Sequence, residues 1–79
     1  MKIIDSFRNY ILDEEFKVYI FKNKINIVNY SDIVNFTSKE IIVKYSEGKI
    51  IITGDGLIIS KLLLDEVLIS GVIEKIEFR

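Results

Sequence analysis

The sequence predicts a mainly β fold: an antiparallel meander forming a curled sheet, a small sandwich or an open barrel, with one short amphipathic helix at the N-terminus. Three observations predict it. Apolar residues recur at helical spacing near the N-terminus, the period changes to two from Phe16 onward, and turn-forming residues interrupt the chain every seven to nine positions.

The helix is expected within residues 1–14, where Ile3, Ile4, Phe7, Tyr10 and Ile11 share one face and Lys2, Asp5, Ser6, Arg8 and Asn9 lie mostly on the other. At about three turns it is too short to be stable alone, so its apolar stripe must dock on its own domain or on a second chain. With two basic residues and Asp5 on the polar face, the segment is a poor membrane-surface helix.

The β region is expected over residues 16–79. Val18 and Ile20 alternate with Lys17, Tyr19 and Phe21; Ile25 and Ile27 follow, then Val34 with Phe36, Ile41 with Val43 and Tyr45, and Ile50 with Ile52. These runs are short and rich in β-branched and aromatic residues, as half-buried strands are. Turn chemistry separates them at Lys22-Asn23-Lys24, Tyr30-Ser31-Asp32, Thr37-Ser38-Lys39, Ser46-Glu47-Gly48 and Gly54-Asp55-Gly56. The last of these is expected to be a tight hairpin turn, because glycine and aspartate tolerate positive φ. Asp65-Glu66 is expected to turn the chain between Leu62-Leu63-Leu64 and a strand beginning at Val67, and the segment from Val72 to Phe78 closes the sheet. An echo, Ile50-Ile51-Ile52-Thr53-Gly54 against Val67-Leu68-Ile69-Ser70-Gly71, points to two strands with similar turns or bulges at their glycines.

The second face of the strands carries Tyr19, Phe21, Val28, Tyr30, Ile33, Ile42 and Ile51, which a solvated face would not. That face must be covered by a curled sheet, by the helix or by another subunit. A homo-oligomer is therefore expected, with an interaction surface drawn from Ile3, Phe7, Ile11, Tyr19, Phe21, Ile42, Ile51 and Ile58.

With 79 residues the chain makes one small domain of marginal stability, to which association would add. Hydrophobic residues at 49% and charged residues at 29% describe a folding chain, and the net charge of −1 gives no whole-molecule attraction to nucleic acid or anionic membrane. Neither a signal-peptide core nor an apolar run long enough to span a bilayer is visible, so a cytoplasmic location without membrane insertion is expected.

Chemistry is constrained by what is missing. Without histidine or cysteine, the sequence lacks the commonest general base, the strongest nucleophile and the main transition-metal ligands. The pairs Ser38-Lys39 and Ser60-Lys61 are sequence neighbours, which within a strand point to opposite faces. Asp13-Glu14-Glu15 and Asp65-Glu66 read as solvated helix-end and turn residues. Gly54-Asp55-Gly56 begins like a phosphate-binding fingerprint, but Ile59 occupies the third glycine position and no helix follows. No catalytic, cofactor-binding or metal-binding residue is expected, and no enzyme. A rival reading takes Tyr19 and Phe21 with Lys17, Lys22 and Lys24 as a nucleic-acid-binding strand; lysine on an edge strand serves equally to discourage further pairing.

From Val18 to Phe78 the sequence resembles the YabP/YqfC family of small sporulation proteins. Gly48 through Ile59 matches a "G-x-[LI]-x-I-x-G-x-x-L-x-I" run and Ile69 through Phe78 matches "I-x-G-x-I-x-x-[IV]-x-F"; the joint placement of Gly48, Gly54 and Gly71 is its most specific part. Of the family's "E-N-H" tract only Asn29 is carried over, within Val28-Asn29-Tyr30. The resemblance implies a non-enzymatic protein of spore envelope assembly, made in the mother cell. It also implies a place peripheral to the membrane beside an integral membrane sporulation protein.

Overall fold

The computed structural model describes residues 15–79, and the helix expected within residues 1–14, with Ile3, Phe7 and Ile11, lies outside them. Six strands follow: β1 (Lys17–Ile20), β2 (Lys24–Val28), β3 (Asp32–Phe36), β4 (Glu40–Tyr45), β5 (Gly48–Leu62) and β6 (Glu66–Phe78). Among the described residues there is no helix. All strands belong to one antiparallel sheet in the order β1-β2-β6-β5-β4-β3. β3 to β6 form the expected meander, whereas β2 pairs with β6 and not with its sequence neighbour β3.

The departure accompanies a bend shared by β5 and β6. Gly54-Asp55-Gly56, expected as a hairpin turn, instead lies inside β5, which runs on to Leu62. The β5–β6 register breaks between Thr53 and Gly54, where Glu74 of β6 is the extra residue, and again between Asp55 and Ile58, where β5 carries the extra residue, so the stretch lies at two bulges that bend the strand without reversing it. β6 bends opposite, at Gly71, whose φ of 134° few side chains tolerate. Contact leaves no room there either: a Cβ at Gly71 would stand 2.6 Å from the Gly56 carbonyl oxygen, and one at Gly54 would stand 2.0 Å from the Val72 carbonyl oxygen. The sequence echo therefore marks two kinks facing each other across one ladder.

The paired kinks fold the sheet into two layers. In the first, inward-facing rows run Val18, Ile27, Val67, Leu62 and Ile20, Ile25, Ile69, Ile59; in the second they run Ile33, Val43, Ile50, Phe78 and Phe36, Ile41, Ile52, Ile76. The central members, Ile25, Ile27, Val67 and Ile69 against Ile41, Val43, Ile50 and Ile52, join Leu57 from the bend in one buried core. The row ends Ile20, Leu62, Phe36 and Phe78 remain exposed, so the layers overlap only across their middle. Each buried aliphatic contributes roughly 1.5–3 kcal/mol, and a domain of this size has only about 5–15 kcal/mol in hand. Losing a few core members would unfold it.

Two features hold the layers together on the β2–β3 side. Phe16 stacks on Tyr45 with ring centroids 3.8 Å apart and planes within 9°. Residues 29–31 carry the chain directly from one layer to the other, and Asn29 takes a left-handed φ of 64°, which asparagine accepts better than most residues. Its N–H donates to the Asp65 carbonyl at 2.6 Å and its Nδ2 to the Glu15 carbonyl at 2.8 Å, while Ser31 N–H donates to the Lys44 carbonyl at 2.8 Å.

Gly54→Ala and Gly71→Ala are expected to destabilise the fold by about 3 kcal/mol or more each. Gly56→Ala, where a Cβ meets nothing within 4 Å, should cost only about 1–2 kcal/mol for its positive φ. Urea unfolding of the three variants checks the order.

Candidate functional site: an exposed apolar surface

The expected interaction surface divides between two outer faces. Tyr19 and Ile58 lie on the outer face of the first layer, in rows with Asn26 and Leu68 and with Ser70 and Lys24. Phe21, in the adjoining β1–β2 turn, is also exposed; the three stand at 48%, 55% and 52% exposure for Tyr19, Ile58 and Phe21. Ile42 and Ile51 lie on the outer face of the second layer, in the row Asn35, Ile42, Ile51, Glu77. Only 7% of Ile51 is exposed. It is therefore buried within the single chain, without a second copy.

One exposed apolar feature was not legible as a surface in the sequence. β5 and β6 are joined by a turn closed by Leu63 N–H donating to the Glu66 carbonyl at 2.7 Å, which places Leu64 at its tip with 96% of its surface exposed. Leu62 and Leu63 are exposed beside it. Together with Tyr30, Ile33, Ser31 and Asp32 they line an open groove of about 540 Å³. Tyr30 Oη donates to the Leu63 carbonyl at 2.7 Å and fixes the groove's floor to the turn. Turns favour polar residues, so three leucines entering one were the available signal.

Charge is arranged in small exposed groups. Lys39 Nζ donates to Asp55 Oδ1 at 2.8 Å across the bend, and this hydrogen bond and the opposite charges hold the Asp55 carboxyl below its usual range and raise the Lys39 ammonium. The Asp55 carboxylate at the bend is thus already engaged. Just past β6, Arg79 donates to Glu77 Oε2 at 3.0 Å and holds that carboxyl down, with Lys75 Nζ 3.9 Å from its other oxygen. Ser60, at a bulge, and Ser70 meet hydroxyl to hydroxyl, and Lys61 lies in the neighbouring row opposite Leu68. Among the described residues, no group of three or more acidic side chains is placed to hold a metal ion. The described residues, which form no helix, contain none long and apolar enough to cross a membrane.

The described residues form a small all-β module that exposes an apolar tip. The chain belongs to the YabP family, whose family model matches residues 19–79. No curated protein and no solved structure matches it significantly.

Two outcomes are expected. Leu64→Ser should change unfolding stability by no more than about 0.5 kcal/mol, whereas Ile69→Ala should cost about 2–5 kcal/mol, as measured by urea denaturation. Because the Asp55 carboxyl is depressed, its contribution to stability is present above its usual range and lost as pH falls through the depressed one. Asp55→Asn should remove that part of the acid-induced loss, as read from melting temperatures at neutral pH and near pH 3.

Proposed function

We propose that this chain is a non-enzymatic, self-associating β scaffold or adaptor in spore envelope assembly. It acts in the mother-cell cytoplasm at the membrane periphery, beside an integral membrane sporulation protein. Membership of the YabP family suggests a sporulation-related protein; the apolar groove at the β5–β6 tip carries the rest of the reading. A fully exposed leucine flanked by two more is costly to leave in water and is what a protein-binding surface requires. The hydrogen bond from Tyr30 and the closed Leu63–Glu66 turn hold these leucines in a fixed arrangement, which lowers the ordering cost of docking.

Nucleic-acid binding is the rival. Tyr19 and Phe21 are exposed as it requires, but the Lys24 ammonium lies over the Phe21 ring at 5.5 Å from its centroid and occupies a face on which a base would stack. The net charge of −1 adds nothing to such binding.

The test is a sporulating strain making only the Leu62→Asn/Leu64→Asn variant. It should accumulate folded protein at the wild-type level and yield at least tenfold fewer mature spores. Normal spore yield from the variant would sink the adaptor reading.

A further inference from the structure

We infer that the C-terminal half of β6 is the edge through which this protein pairs with a second copy of itself, antiparallel and about a two-fold axis at Ile76, an inference that rests on the self-association proposed above. The β2 ladder ends at Ser70, and beyond Gly71 β6 is paired on one side only, with β5, among the described residues.

The other free edges are poorer. β3 carries a register shift between Ile33 and Asn35, the outer half of β5 carries one between Ile59 and Lys61, and β1 has only four residues. Bulges and short length are the devices that stop edges from pairing. β6 has one such shift, at Glu74, but beyond it Lys75 to Phe78 run in unbroken register with β5, and Arg79 N–H donating to the Lys49 carbonyl at 2.8 Å carries the ladder one residue further.

Charge selects both the partner and the register. Lys75, Glu77 and Arg79 alternate along one face, with side chains 64%, 35% and 59% exposed. Residues directly opposite each other in an antiparallel pair share a face, so only registers pairing odd with odd and even with even positions are allowed. With Ile76 opposite its own copy, Lys75 faces Glu77 of the second copy and Glu77 faces Lys75 of the second copy. A shift in one direction puts Lys75 opposite Lys75; a shift in the other puts Glu77 opposite Glu77 and Lys75 opposite Arg79. Like charges in those positions repel. On the other face Ile76 meets Ile76, and Phe78, exposed in the single chain, comes diagonal to Ile76 of the second copy, within aromatic reach. The second layers of two copies thereby become one continuous sheet with an isologous interface.

Sedimentation of the full chain across the micromolar range tests the pairing, with circular dichroism verifying the fold of each variant. Wild type should form a dimer. Lys75→Glu and Glu77→Lys should each raise its dissociation constant about tenfold or more, since either change makes both cross-strand contacts repulsive. Mixed in equal amounts, the two variants should form a heterodimer of near wild-type affinity, which no contact within one chain explains and no misfolded variant could produce. A mixture that stays monomeric, or a wild-type dimer indifferent to both substitutions, overturns this edge while leaving self-association standing. A wild type that stays monomeric throughout overturns both.

Discussion

The close approach of two bent backbones, Gly71 against Gly56 and Gly54 against Val72, is the constraint on which the structure depends. Were β5 and β6 straight, the inward rows of the two halves would lie on one broad open face with nothing to cover them. Bent together, one long hairpin supplies the central strands of both layers, and each layer needs only a further hairpin, β1–β2 or β3–β4, at its flank. Strands that change layer through bulges are a general device for closing small β structures. Here two such strands make the corner together, so neither can straighten without breaking the other's contacts.

Much of this was legible in the sequence because it is local. Period two located the strands, and Lys22-Asn23, Ser31, Ser38 and Ser46-Glu47 fall in the links between them. Gly54-Asp55-Gly56 was read as a turn because bulges and hairpins draw on the same residues; only the partner strand distinguishes them, and pairing is not a local property. For the same reason nothing near Ile25 or Ile27 announces that their ladder partners are Ile69 and Val67. The doubly apolar character of β5 was read correctly, but its meaning differs along the strand. Ile51 is buried within the single chain, while Ile58 is left exposed beyond the bend.

The apolar surface follows from the offset between layers. A short chain cannot cover both ends of every row, and the Phe16–Tyr45 stack and the link at Asn29 secure only one side of the overlap. Ile20, Leu62, Phe36 and Phe78 mark where coverage stops. The same economy leaves the leucine tip exposed and, among the described residues, half of β6 paired on one side only. In this fold the surfaces that invite association are the remainder of a core too small to enclose itself.

The pairing of β2 with β6 also governs the order in which the molecule can be made. Synthesis delivers β1 and β2 early, yet among the described residues the strand that extends their sheet is the last of the six. An isolated two-stranded hairpin is marginal in water, so the first hairpin waits as a lone ribbon while β3, β4 and β5 assemble. Completion then requires contacts between distant parts of the chain, which is the topology of slow folders. Until β6 arrives, Ile25 and Ile27 are open to any edge that offers itself, and a crowded polysome would present many copies of the same one.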